Sequence, residues 1–494
     1  MDKKLSNVLM LSLKEISLRR VAVILWNQHD ILASIDSFDA EDAVKDNISK
    51  LDLPPLLMEK IKYLVEPVGS DLHNWKWFHE TYLSTTSERF NVHILEYLCW
   101  TVLGTVDYRK TAEKLIRCKM LDIVKSYKLA CLYCLDDCIP VLWENLTEES
   151  KRYFYEEEGP FHFTIPELEF CWAYIIKGEE FILDYIFGTA FGNLTTFNQN
   201  AFEYSAYIGN KCATEYFFRK LTYDEREASL FRTAQAVVTH RLKRGFISGT
   251  FPLEKLSDTL CYLLSLMSHE QQMAIFKEYP FNVLVCLLDW PWQDLFLDIA
   301  ELIWTFLTEF NFVSLLNIIS ERIKLGYYLT KLFQEFFVRS PSEFRKYFVD
   351  DECMTGSILR NIFDVEDSEI IKVIFKNVDS VDKKRLVCSG NVFKLFYGST
   401  LRGKWHLVEQ CLQEAKLSKD DKDGLKADFL GFLTEIDTGN INRRENVWKQ
   451  FLHFLDENKA KDTCKRISDE QDLSKEKNCM EERDRFTKEP HCSK

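Results

Sequence analysis

Apolar residues along this chain recur in short runs at helical spacing, each broken by a few small or polar residues, and the runs repeat one another. The clearest unit reads Ser205-Ala206-Tyr207-Ile208-Gly209-Asn210, then Ala213 and Thr214, then Tyr216-Phe217-Phe218. It predicts two short helices around a tight turn. Small residues at Ser205 and Ala206 let neighbouring first helices approach closely, Gly209 supplies the positive φ that ends a helix, and the closing apolar run buries the second helix. The unit returns at Ser399-Thr400, Gly403, Leu407-Val408 and Cys411-Leu412, with Trp405 and His406 between turn and helix. It returns again from Tyr174 to Phe187, with Gly178 in the turn before Ile182-Leu183 and Tyr185-Ile186-Phe187. Weaker copies keep only the helical apolar positions: Ala130-Cys131 with Val141-Leu142-Trp143, Ile370-Ile371 with Val373-Ile374-Phe375, and Ile299-Ala300 with Leu302-Ile303-Trp304. A further copy runs from Leu103 to Ile116, and Leu146-Thr147-Glu148-Glu149 follows the Ala130 copy as Leu221-Thr222-Tyr223-Asp224 follows the Ser205 copy.

The flanks differ. Residues 1–95 read as a helical leader or cap of amphipathic segments, broken at Pro54-Pro55 and carrying an aromatic cluster at Trp75, Trp77 and Phe78. Residues 457–494 carry ten basic and ten acidic residues with almost no large apolar ones. Such a segment cannot bury enough surface to offset its ordering entropy, so a disordered tail is expected there. The organisation is therefore a leader over 1–95, repeats over 96–456 and a charged tail over 457–494.

Composition supports the helical reading. The 494 residues include 37 Phe, 20 Tyr and 11 Trp but only 17 Gly and 11 Pro, well below the usual shares of about 7% and about 5%. Tight turns and strand-rich folds consume Gly and Pro, so their scarcity favours packed helices joined by short connections. A chain of this length exceeds a single hydrophobic core, which leaves several domains or a stack of repeats. The expected class is all-α, an irregular α-solenoid of stacked helix-turn-helix repeats.

On these residues the chain resembles the ankyrin repeat, whose helix-turn-helix core reads small-small, Gly in the turn, two aliphatics, then an aliphatic run. The resemblance spans roughly residues 100 to 450. The family's Thr-Pro-Leu-His start is absent from every copy, so helix pairs without β-hairpin fingers are expected, stacked by the same packing logic. The whole chain also resembles an uncharacterised arthropod family with degenerate repeats of this kind, which implies an architecture and no activity.

Charge and cysteine usage narrow the function. A formal net charge of −14 argues against a general binder of nucleic acid or anionic membrane, both of which are densely negative. The basic run Arg241-Leu242-Lys243-Arg244 reads as a complement to a helix dipole. The 15 cysteines are not a secreted disulfide framework, because Met1-Asp2-Lys3-Lys4 and the apolar Leu5, Val8, Leu9 and Leu13, interrupted by Lys14, Glu15, Arg19 and Arg20, form an amphipathic helix rather than a signal peptide. No apolar window reaches the length of a membrane span; the stretches Leu260 to Met267 and Phe281 to Leu288 are too short. Reduced cysteines, unused sequons at Asn47, Asn145 and Asn193, and a cytoplasmic location are expected.

Candidate chemistry is sparse. Cys131, Cys134 and Cys138 sit at i, i+3 and i+7, which puts them on one face of a continuous helix and makes a metal or thiol site the sharpest alternative. No fourth ligand lies nearby, and buried cysteine packs well as a small apolar residue. The histidines are scattered singly or lie in the aromatic cluster as His73 and His79; His269-Glu270 is followed by Gln271-Gln272-Met273 and lacks the second histidine of a zinc helix. No nucleophile elbow or phosphate loop occurs. Glu156-Glu157-Glu158 before Gly159-Pro160 reads as a solvated loop, since adjacent carboxylates make a poor cation cage. Trp75, Trp77, Trp290 and Trp292 could form a recognition groove, with Trp290-Pro291-Trp292 in a proline-broken loop. The expectation is a non-catalytic scaffold or adaptor for protein partners, with no catalytic, cofactor or metal residue assigned and no nucleic acid expected. The alternative is a metal- or cysteine-dependent enzyme or sensor centred on Cys131, Cys134 and Cys138. The residues carry no signal for oligomeric state.

Overall fold

The computed structural model describes residues 11–37, 39–83, 90, 92–155, 167–191, 195–242, 251–436, 449 and 451–456. Glu156-Glu157-Glu158, Lys243-Arg244 and the 457–494 tail lie outside these residues. The all-α class is as the sequence predicts: every regular element among the described residues is helical, and the one β feature is an isolated antiparallel bridge between Trp100 and Val106. No described helix is long and apolar enough to cross a membrane. The chain forms two compact units, residues 1–315 with 325–328, and residues 316–324 with 329–494.

One turn recurs in both units. At Gly209 (φ +82°) the helix Phe197–Tyr207 ends, with the Gly209 N–H donating to Ala206 O at 3.1 Å and the Asn210 N–H to Ser205 O at 2.9 Å. This pair of bonds satisfies carbonyls that a helix end leaves open, and it needs one residue with positive φ. The same pair closes the turns at Gly178 and Gly403, the other two glycines of the sequence pattern. It also closes turns at Lys119, Cys134 and Glu366, with φ of +54°, +49° and +59°. A side chain in this region costs roughly 1–2 kcal/mol, so sequence patterning that looks for glycine passes over these turns. The Ala130 and Ile370 copies thus have the complete turn, at Cys134 and Glu366. The Ile299 copy does not: Ile299-Ala300 and Ile303 lie in one helix, Phe296–Ile303, that runs on into a 3-10 turn. The Leu103–Ile116 copy contains the single helix Tyr108–Arg117, with a left-handed residue at Gly104 (φ +76°) before it and another at Lys119 after it.

In the first unit the helices of residues 13–83 pack against later helices of the same unit. Leu13–Trp26 begins with a capping box in which Ser12 Oγ accepts from the Glu15 N–H and the Glu15 carboxylate from the Ser12 N–H. It packs along Pro55–Leu83, a helix that starts at the predicted Pro54-Pro55 break. Trp26 is buried and donates its indole N–H to Val65 O at 3.0 Å. Farther along, Phe78 meets Phe251 at 4.3 Å between ring centroids and the His79 ring nitrogen lies 2.6 Å from the Tyr133 hydroxyl. In the second unit the buried phenylalanines Phe333, Phe337, Phe348, Phe363, Phe393 and Phe396 form the centre. Asn361 donates to Ser320 Oγ at 3.1 Å within that core.

Two carboxylates meet where Ala40–Ser49 packs on Pro55–Leu83. Burial first, and the neighbouring Glu41 second, raise Glu66 to about 7 against the opposing charge of Lys45, which also bonds to Glu41. A carboxyl raised above its ordinary value of 4.5 contributes stability in full below that value, and the contribution is lost as pH rises through about 7. Glu66→Gln is therefore expected to gain about 1 kcal/mol over the wild type on going from pH 4.5 to pH 8, after solvent screening of a half-buried group. Urea melts of both proteins across that range check it; parallel curves would place the proton elsewhere.

Candidate functional site

The cysteine cluster of the sequence does not form on one helix face. Cys131 lies in the last turn of Ile123–Leu132, Cys134 is the left-handed residue beyond it, and Cys138 is the N-cap of Ile139–Glu144. The i, i+3, i+7 reading assumes a helix that continues, whereas the chain reverses at Cys134. That residue occupies the place Gly209 holds in its own copy. Burial pushes the Cys131 and Cys134 thiols far above the ordinary range and raises Cys138 as well. A neutral thiol is a poor nucleophile and a poor metal ligand. Among the described residues, no three His, Cys, Asp or Glu side chains converge as a metal-holding group, and no disulfide joins two cysteines.

The tryptophan groove is likewise not assembled. Trp75 is buried and only Trp77 is exposed. Trp290 lies under the Arg19 guanidinium, 4.2 Å from its ring centroid, and Trp292 donates its indole N–H to Asp258 Oδ1 at 2.7 Å. Arg19, which the charge pattern places on a solvated face, is buried; it donates to Leu103 O at 2.9 Å and to Asp294 at 3.1 Å. Arg241, of the basic run, is paired rather than left to the helix end alone. Arg241 follows the end of Tyr223–His240 but turns its guanidinium to Asp289, with both bonds at 2.8 Å. His269 begins the helix His269–Glu278 and is exposed.

What the fold does assemble is a polar and aromatic centre in the first unit, beside a cavity of about 530 Å³. The loop before Tyr108–Arg117 is held by the Trp100–Val106 bridge and by Asp71, whose Oδ2 accepts from the Val106 N–H at 2.6 Å. Its other oxygen accepts from Lys255 Nζ at 2.8 Å. Lys255 opens the helix Lys255–Leu266, stands 3.5 Å from Asp258 one turn on, and lies 4.4 Å from the Tyr108 ring centroid. Burial works against its charge, but Asp71, Tyr108 and Asp258 outweigh it and hold the ammonium well above the usual lysine range. Lys255 is thus a charged structural cation and not an amine nucleophile.

His79 completes the buried side of this centre. Its Nδ1 is 2.7 Å from Trp75 O, an acceptor, so Nδ1 carries the proton and Nε2 accepts from the Tyr133 hydroxyl. Burial lowers His79 to about 3, so the ring stays neutral at physiological pH. Cys212, raised by burial to about 12, and Cys261, also raised by burial well above the ordinary thiol range, line the cavity as neutral thiols. The arrangement offers shape, apolar contact and hydrogen bonds. Asp71, Tyr108, Lys255 and Asp258 were not singled out by the sequence. Their only local signal is the i, i+3 spacing of Lys255 and Asp258; Asp71 and Lys255 are 184 positions apart.

No protein-family model matches the chain. A comparison with curated proteins finds no significant match either.

Proposed function

We propose that this chain is a non-catalytic, cytoplasmic scaffold that binds protein partners, built of helix-turn-helix units similar to degenerate ankyrin repeats and stacked as an irregular α-solenoid. One observation carries the reading: turns of this kind bond to one another at equivalent positions, in the first unit passing over the Gly178 turn that lies between them in the chain. Asn210, just after the left-handed Gly209, donates its side-chain N–H to Leu132 O at 2.8 Å, two residues before the left-handed Cys134. Lys404, just after Gly403, donates to Asp364 O at 2.9 Å, two residues before the left-handed Glu366, and to Phe363 O at 3.0 Å. The same contact in both units supports helix-turn-helix units that bury their helix ends against one another.

Stacking of this kind leaves outer helical faces to vary without loss of the fold. Tyr153 in Glu148–Phe154 and Phe181 in Glu180–Phe191 expose 62% and 69% of their surface, large apolar groups that folding alone does not require outside. The test is capture from cells of the protein's own source with the full-length chain and with the double variant Tyr153→Asp/Phe181→Asp, followed by mass spectrometry. A partner that survives high salt on the wild type and is lost from a variant with unchanged melting is the expected result. Recovery of nothing specific, or of identical proteins by both, would argue against the scaffold.

A further inference from the structure

We propose that the turn at residues 34–37 and the helix Ala40–Ser49 are held on Pro55–Leu83 by two titratable protons, one on the His73 ring and one between Glu41 and Glu66, so that their docking loosens as pH rises. Such a device works within the first unit and does not depend on a scaffold role.

The His73 ring carries the first proton. Its Nδ1 lies 2.8 Å from Gly69 O, one turn back in the same helix, and its Nε2 lies 2.8 Å from Ile35 O. Both neighbours are carbonyl oxygens, which only accept. A neutral imidazole has one N–H, so it bonds one of them and turns a lone pair towards the other, whereas the imidazolium donates to both. Ile35 is buried, and no other donor among the described residues bonds its carbonyl. Loss of the proton therefore strands a buried acceptor. His79 shows the contrast: its Nε2 faces the Tyr133 hydroxyl, a group that can itself donate, so that ring needs one proton only. His73 is also exposed, which lets its proton exchange directly with solvent.

The second proton lies where Ala40–Ser49 meets the long helix. The Glu66 carboxyl is hydrogen-bonded to Glu41, and two carboxylates so placed repel unless one is protonated. Lys45 pairs with Glu41 within its own helix, and His73 acts on Glu41 from the long helix. The turn contributes Asp36, which accepts from Lys76 Nζ at 2.9 Å and 3.1 Å, and Lys76 also pairs with Glu80 at 2.9 Å. The first helix presents the uncharged Trp26 ring, perpendicular to the His73 ring with 6.0 Å between centroids. As pH rises, His73 releases Ile35 O and Glu66 comes to repel Glu41, two effects of the same sign. The Lys76–Asp36 pair keeps the segment attached, so the result is loosening and not detachment.

The test is amide hydrogen exchange of the full-length protein between about pH 5.5 and about pH 8.5, corrected for the intrinsic pH dependence of exchange. Protection over residues 34–49 is expected to fall about tenfold across that range, the scale of one lost hydrogen bond, while that of Lys255–Leu266 in the same unit stays constant. His73→Phe should lower protection at the acid end and keep only the part of the pH dependence that Glu66→Gln removes; the double variant His73→Phe/Glu66→Gln should be flat. Nitrogen-15 spectra of the wild type, which require no variant to fold, should show His73 losing its second ring proton over the range in which protection falls. Wild-type protection that does not change with pH, a His73 proton lost without change in protection, or an undiminished pH dependence in the folded double variant would each overturn the proposal.

Discussion

Asp289→Ala is expected to destabilise the first unit by about 3–5 kcal/mol, the range for removing one partner of a buried ion pair. The Asp289 side chain is 1% exposed and accepts from Arg241 Nε and Nη2 at 2.8 Å each and from Ser257 Oγ at 2.6 Å. Alanine removes the acceptor for all of these at once. Arg241, 12% exposed, then keeps a guanidinium that neither water nor protein matches. The cost is that of the stranded charge and not the net worth of the bridge, so the double variant Arg241→Met/Asp289→Leu should recover most of it. Urea denaturation of the two single variants and the double variant decides the matter. A loss for Asp289→Ala below about 1 kcal/mol would mean that Arg241 finds solvent on its own.

Gly69→Val is expected to cost about 3 kcal/mol or more, at the upper end of overpacking in a core. A Cβ at this position would lie 2.2 Å from Trp26 Cζ2. The indole cannot withdraw cheaply, because its N–H is held by Val65 O at 3.0 Å and the ring is buried. Gly69 is in the middle of Pro55–Leu83, where glycine otherwise weakens a helix by roughly 0.5–1 kcal/mol relative to alanine. Its presence is explained by the close approach of the Trp26 ring. Gly398→Ala, in the last turn of Gly390–Leu401 with nothing within 4 Å of the added Cβ, is the control and should be neutral or stabilising by up to about 1 kcal/mol. Thermal melts of the two variants should separate widely; similar melting temperatures would show that Trp26 relaxes at little cost.

The two glycine positions illustrate how much was legible. Gly209 announces itself locally, because a glycine between two apolar helical runs has one common reason to be there, and it does take φ +82°. Gly69 gives no such signal. Its reason lies in a tryptophan from another helix. The same contrast divides the turns: those at Gly178, Gly209 and Gly403 followed from composition, whereas those at Cys134 and Glu366 carry no glycine and require contacts from distant residues to be seen. Asn210 and Lys404, from later turns of the same kind, hold the carbonyls just ahead of them. In the case of Cys134, the missed turn also produced the placement of Cys131, Cys134 and Cys138 on one helix face, since a continuous helix was the only geometry that their spacing suggested.

The sequence by itself determined the helical class, the positions of the glycine turns, the absence of an apolar stretch long enough to span a membrane, and the helical nature of the leader. These depend on periodicity, on backbone propensity and on composition, which act over a few residues and survive any tertiary arrangement. Only the tertiary structure decided which charges are buried. Arg19, Lys255, Arg241 and Asp71 look like ordinary members of polar faces until partners from distant segments meet them, across 184 positions for Asp71 and Lys255. Burying a charge is tolerable only where a partner and hydrogen bonds are already in place. That condition is a property of the assembled fold, and so the centre around Tyr108 and its cavity could not be read from the order of the residues.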